Sequence, residues 1–392
     1  MDFCSQVGAR PTGNWALTDI QAALRFLRRE VGAFGGDAAR LTLFGQSSGA
    51  SLCDLHAVLP SSAGLLEGVI SQSGGLSASV PEEAVANEVV VARYLGCADN
   101  ATRKACIANA SGDALVYSQK VRCATPNDCD AATSWGPVVD GFLVPDDPAA
   151  LLARGRVNAG VDVVLGANTN DSYLFIMSRG PVDERAYEAS LWDDARQDPA
   201  HFRALGRRYP PTRDGGENNR RLGWKASDKM LCGLRRAAAS FARAGAAAFL
   251  YRYNYWFQSD ETCTAVANWH PAAFGSMHQD EVSFVFGQPI KMNIGYTNCS
   301  EPGPTFDKSC LGCAFDAREA AFAKKVGAFW TAFAASGDPN VRGATNLHGE
   351  WPRIDTGRNV VLEPTEDMTM ASEPNVGASN CDLWDTIAAS SD

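Results

Sequence analysis

The chain has 392 residues, of which 45% are hydrophobic and 20% charged, with a formal net charge of -10 and a pI near 5.1. That length can bury a large core. No apolar run approaches the roughly 18 residues of a membrane span, and the acidic balance excludes nucleic acid and anionic membranes as expected partners.

Twelve cysteines, with Asn-x-Ser/Thr sequons at Asn100, Asn109, Asn170 and Asn298, point to an oxidising, extracellular or secretory setting with several disulfides. Cys310 and Cys313 form one CxxC, but no second pair completes a set of zinc ligands, so no metal is expected. Met1-Asp2-Phe3-Cys4 has neither the basic start nor the apolar stretch of a signal peptide, so the sequence is expected to begin inside a longer protein.

In chain order, Ile20, Leu24, Leu27 and Val31 make one apolar stripe, predicting a helix over about residues 18–32. The turn Phe34-Gly35-Gly36-Asp37 ends it. A short strand, Leu41-Thr42-Leu43-Phe44, then runs into Gly45-Gln46-Ser47-Ser48-Gly49, with a helix expected from Ser48 onward. Strand, G-x-S-x-G and helix in that order are the setting of a nucleophile elbow. Gly45 and Gly49 would let the two backbones pass closely. The strained turn would lift the Ser47 hydroxyl above the sheet edge, over a helix N-terminus that favours negative charge. The Ser48 amide would donate to an oxyanion. A plain glycine turn that happens to hold a serine stays open at this point.

Further strands are expected at Gly68–Ser71, Val161–Leu165, Ala248–Tyr255 and Val360–Leu362. Helices lie between them, including 318–335 with Phe322, Val326, Phe329 and Phe333 on one face. Tyr209-Pro210-Pro211 through Asn219 reads as a surface loop. The alternation predicts an α/β fold, a mostly parallel sheet covered by helices on both sides, in one domain spanning 1–392.

A serine hydrolase of this architecture takes its acid and then its histidine after the serine. Five histidines are present, at 56, 201, 270, 278 and 348. His278, in Gly275-Ser276-Met277-His278-Gln279-Asp280-Glu281, is the expected base, with His270 its nearest competitor. Asp171, six residues past the Val161–Leu165 strand, is the expected acid. Asp140 is a rival, although Asp-Gly after a short apolar run reads as a turn.

Taken in order, GNWALTDIQAALRFL, AFGGDAARLTLFGQSSGA, GVISQSGG, PVVDG, LGANTNDSYLF, GSMHQDEVSFVFG and FWTAFAASGDPN with the following WP resemble the type-B carboxylesterase and cholinesterase family over nearly the whole chain. The resemblance implies the α/β-hydrolase fold and a triad of Ser47, Asp171 and His278, with Asp where the family more often has Glu. It implies supporting places for Ser73 and Glu281. At Gln46 it shows the loss of a glutamate, which should weaken electrostatic support for a protonated histidine. It also implies disulfides Cys97–Cys106 and Cys232–Cys381.

The expected chemistry is acyl transfer through a serine ester, without a cofactor, on a small-molecule or lipid ester. Leu174 falls where an aromatic would favour a choline ester, so choline substrates are not preferred. The rival readings are a non-catalytic adhesion or binding module of the same fold, and a truncated fragment. The family's His-Gly-Gly oxyanion loop does not occur here, and 46 residues precede Ser47 where relatives carry about a small domain's length. The expectation is therefore a sheet lacking its N-terminal strands, and a polypeptide that alone folds poorly and turns over slowly.

Overall fold

The computed structural model describes residues 14–97, 99–120, 135–176, 180–255, 275–288, 315–340, 350–362, 371–374 and 378–390. The chain forms two compact units that it enters alternately. One comprises Met1–Ala38, Leu55–Leu65 and Leu76–Asn158; the other comprises Ala39–Asp54, Leu66–Gly75 and Ala159–Asp392.

The first unit is helical. Its opening helix, Trp15–Glu30, buries Leu17, Gln21 and Leu24. The expected stripe is therefore turned: Leu24 faces in, but Leu27 is exposed, and Ile20 and Val31 are half-buried. Gln21 draws the helix round, because its amide donates to the hydroxyls of Ser61 (2.9 Å) and Ser62 (3.1 Å), and a satisfied polar group is cheap to bury. Val31–Phe34 tightens into a 3-10 turn, stopped at Gly35 (φ 82°).

His56, fully buried in this unit, meets the Ser62 hydroxyl through Nδ1 at 2.8 Å. Its Nε2 has no hydrogen-bond partner among the described residues. Burial lowers the pKa of this ring from 6.5 to about 4. Asp140 accepts the amides of Phe142 and Val144, each at 2.9 Å, beside Gly141 at φ 71°. The rival acid is a turn-former. Cys97 and Cys106 are bonded, among Ala92 and Ile107.

Among the described residues the second unit holds a six-stranded sheet in sequence order: β1 (Thr42–Gln46), β2 (Gly68–Gln72), β3 (Asp162–Asn168), β4 (Ala248–Tyr253), β5 (Arg358–Leu362) and β6 (Ala371–Pro374). β1 to β5 are parallel, and β6 returns antiparallel on β5. β2 is buried throughout, and β3 and β4 nearly so, the mark of strands covered on both faces. Ile70, Val164, Phe249, Tyr251, Tyr253 and Leu362 share a core with Phe322, Val326, Phe329 and Phe333 of the helix Ala317–Ser336. A reciprocal cap between Asp316 and Glu319 starts that helix, and Gly337 (φ 73°) ends it.

The helix Gly215–Arg243 packs on β3 and β4, and Cys232–Cys381 ties it to the helix Ala378–Ala389. Its first turns occupy residues expected as loop. Asp214 caps the amides of Gly216 and Glu217, and Asn218 turns inward to donate to the carbonyls of Val182 (3.0 Å) and Thr212 (2.8 Å). The polar residues that read as loop are thus a cap and a satisfied buried amide. The fold class is the one expected, a mostly parallel sheet flanked by helices.

Candidate active site

β1 ends at Gln46, and the helix Ser48–Val58 begins two residues later. Ser47, between them, has φ 59°, a left-handed conformation that costs a non-glycine residue about 1–3 kcal/mol. Its amide donates to the Gln72 carbonyl at 2.8 Å, fastening the turn to the end of β2. A Cβ on Gly45 would lie 2.6 Å from the Gly49 backbone, so close packing of helix on strand excludes any side chain there. A Cβ on Gly49 would meet nothing within 4 Å. Ser47 is half-buried and Ser48 exposed.

His278 is 3% exposed and Asp171 0%. Nδ1 of His278 lies 2.5 Å from Asp171 Oδ1. Asp171 Oδ2 accepts the Ser73 hydroxyl at 2.5 Å and the Asn168 amide at 2.9 Å. All three neighbours are donors, the arrangement that suits a buried carboxylate. Because a carboxylate only accepts, the hydrogen-bond pattern assigns the ring hydrogen to Nδ1 and a lone pair to Nε2. Facing Nε2 is the Gln46 side-chain nitrogen, at 3.1 Å. Among the described residues the Ser47 hydroxyl makes no hydrogen bond to His278. Phe175 packs edge-on against the imidazole, with ring centroids 4.9 Å apart.

A second polar network is shared by Glu281, Gln72 and Asn168. Glu281 accepts from Gln72 Nε2 at 3.0 Å and from Asn168 Nδ2 at 2.7 Å. Asn168 also donates to the Met277 carbonyl, tying β3 to the loop that carries His278. Trp330 Nε1 donates to Gln72 Oε1 at 3.1 Å. Burial raises the Glu281 pKa, and the charge of Asp171 adds to this, against the donors Gln72 and Asn168. Burial likewise pushes Asp280 well up, although the Met277 amide opposes it.

The structure thus brings together Gln46, Ser73, Asp171 and His278 by direct contact, holds Glu281 on Gln72 and Asn168, and sets Ser47 beside Gln46. His270, His348, Cys310, Cys313 and Asn298 lie outside the described residues. Asn168, Gln72, Trp330 and Phe175 escaped the sequence reading. Gln72 and Asn168 carried a signal, each a polar residue at the C-terminal end of a largely apolar strand. Asn170, one of the sequons, is 3% exposed, and its backbone amide is bonded to the Ser276 carbonyl at 2.9 Å.

A parallel sheet that ends in a left-handed serine, with a buried histidine–carboxylate pair supplied from later loops, is the layout of an α/β-hydrolase. The chain matches the carboxylesterase family over residues 1–384 and belongs to it. It is 27% identical over 389 residues to a bile salt-activated lipase of Mus musculus, covering 95% of this chain and 60% of that protein. It is 26% identical over 396 residues to a cholinesterase of Mus musculus, with the same coverage of 95% and 60%. Neuroligin-3 of Mus musculus is 27% identical over 363 residues, covering 87% of this chain and 40% of that protein. The chain therefore spans about 60% of the length of the lipase and cholinesterase it matches.

Proposed function

We propose that this chain hydrolyses carboxylic esters, with Ser47 as nucleophile, His278 as general base and acid, and Asp171 as the carboxylate that orients the ring. The observation carrying this reading is the buried 2.5 Å contact of His278 Nδ1 with Asp171, which turns Nε2 toward Gln46, the neighbour of a serine held at φ 59°. For attack, the Gln46 amide swings away and the Ser47 hydroxyl takes its place at Nε2. Nε2 accepts the proton as the serine oxygen adds to the ester carbonyl, and the Ser48 amide and helix N-terminus stabilise the oxyanion. The imidazolium then protonates the departing alcohol, leaving an acyl-serine. Water, deprotonated by the same nitrogen, releases the acid and restores the serine.

The names of the relatives support a small-molecule or lipid ester as substrate, and half-buried aliphatic Leu174 argues against a choline ester. The disulfides Cys97–Cys106 and Cys232–Cys381 support a secretory setting. The test is labelling with a fluorophosphonate. Wild type should be modified at Ser47 and should cleave a p-nitrophenyl ester, and Ser47→Ala should do neither.

A second reading is favoured by two observations, the likeness to neuroligin-3 and the Gln46 amide occupying Nε2. It makes the chain a non-catalytic binding module. A folded wild type that resists the probe would select it.

A further inference from the structure

Asp54 lies in the helix Ser48–Val58 and is 1% exposed, yet no step of the reaction above uses it. Its Oδ2 accepts the Ser71 hydroxyl at 2.8 Å, and the Gly75 amide also stabilises its anion. Its Oδ1 has no partner among the described residues. Between those two donors runs the turn Ser71-Gln72-Ser73-Gly74-Gly75. In it Ser73, at φ 57°, donates to Asp171 at 2.5 Å. The turn is wrapped directly onto the carboxyl: a Cβ on Gly74 would stand 2.4 Å from Ser71 Oγ and 2.8 Å from Asp54 Oδ2.

We infer that Asp54 is a positioning residue: its carboxyl pins both ends of the Ser71–Gly75 turn and so aims the Ser73 hydroxyl at Asp171. Its effect on rate rests on the hydrolase reading above; its effect on the histidine–aspartate pair does not. A buried carboxylate is costly, and a purely structural helix position would be filled more cheaply by an apolar residue. Burial pushes the Asp54 pKa up to about 7, against the Ser71 and Gly75 hydrogen bonds. Of the groups around it, Ser71 and Gly75 are uncharged, and Cys53, the neighbouring titratable group, is kept neutral by burial. Near neutrality Asp54 therefore gains or loses a proton, and as the anion it grips the turn through charge-assisted hydrogen bonds.

The test uses the full chain as wild type, Asp54→Asn, Asp54→Ala and Gly74→Ala. kcat is measured per fluorophosphonate-titrated site on a p-nitrophenyl ester, across roughly pH 5.5 to 8.5. Asp54→Ala should lower kcat per site about tenfold with KM nearly unchanged, because a misplaced support costs rate rather than binding. Asp54→Asn still accepts both hydrogen bonds but cannot titrate. Being neutral like the protonated acid, it should hold kcat per site about threefold below the wild-type plateau, and the part of the acidic limb that Asp54 contributes should disappear. Gly74→Ala, which pushes the turn off the carboxyl, should mimic Asp54→Ala and serves if that variant does not fold.

Unchanged kcat per site in Asp54→Ala, or an unchanged acidic limb in Asp54→Asn, would overturn the inference. The downfield proton resonance of His278 Nδ1 reads the same support without substrate. Asp54→Ala should displace it and Asp54→Asn should displace it less, and an unmoved resonance in Asp54→Ala also overturns the role. A wild type that shows the resonance and its displacement, but neither labels nor hydrolyses, sinks the hydrolase reading and leaves the positioning role supported.

Discussion

Each of the two units buries a histidine and contains a disulfide, but the two pairs differ in kind. His278 in the sheet unit has a carboxylate on one ring nitrogen and an amide on the other. His56 in the helical unit has a serine hydroxyl on one nitrogen and no hydrogen-bond partner among the described residues on the other. The first ring is oriented by a carboxyl group on one nitrogen. The second is held neutral by its surroundings. Burial is common to both rings; the partners on their nitrogens set them apart. The disulfides differ as much, closing sequence separations of 149 residues in the sheet unit and 9 in the helical unit.

The comparison breaks most sharply at Asp171. Asp171→Asn places an amide among three donors and should cut kcat/KM by about 10⁴-fold, as expected when an orienting carboxylate is lost. Steady-state kinetics that stay within about tenfold of wild type would remove the distinction between the histidines. Next in size is the long disulfide. By chain entropy, replacing Cys232 and Cys381 with Ser should cost about 5 kcal/mol of stability, against about 2.7 kcal/mol for Cys97 and Cys106, to be checked by urea denaturation.

The pH effect at His56 should be smaller. Its folded pKa, about 4, lies below the ordinary 6.5, so its stabilising contribution is complete above about pH 6.5. That contribution is lost as the pH falls toward 4, by an amount on the order of 3 kcal/mol. The difference in denaturation free energy between wild type and His56→Gln, followed from pH 7 to pH 4, should shrink accordingly; a constant difference would contradict it. Smallest is Gln46→Glu. A carboxylate beside Nε2 favours the imidazolium, so the acidic limb of kcat/KM should move up by about one pH unit.

Much of the sheet was legible because buried parallel strands are written as short apolar runs, and β1 to β5 each contain such a run. β6 is not: Ala371-Ser372-Glu373-Pro374 has no strand character of its own and is a strand only through pairing with β5. Its proline is tolerable because an outermost strand need not donate on both sides. The opening helix was placed correctly but rotated, since periodicity counts Gln21 as an outward residue and cannot see the two serine hydroxyls it meets.

The same limit governs the site. The candidates Ser47, Asp171 and His278 stand out in the sequence through motif and order. Asn168 and Asp54 are single polar residues whose meaning depends on Glu281, Met277 and Ser71, groups that only the fold brings near them.

The burial of Asn170 sets a kinetic condition on making the molecule. The residue is an acceptor sequence for an N-linked sugar, adjacent to Asp171, yet the folded chain has no room for a glycan there. In a compartment that attaches such sugars, enzyme and fold contend for the same side chain, and a molecule sugared first could not close the loop after β3. Biogenesis would then be a race, with the histidine–aspartate pair available only to chains that fold before they are modified.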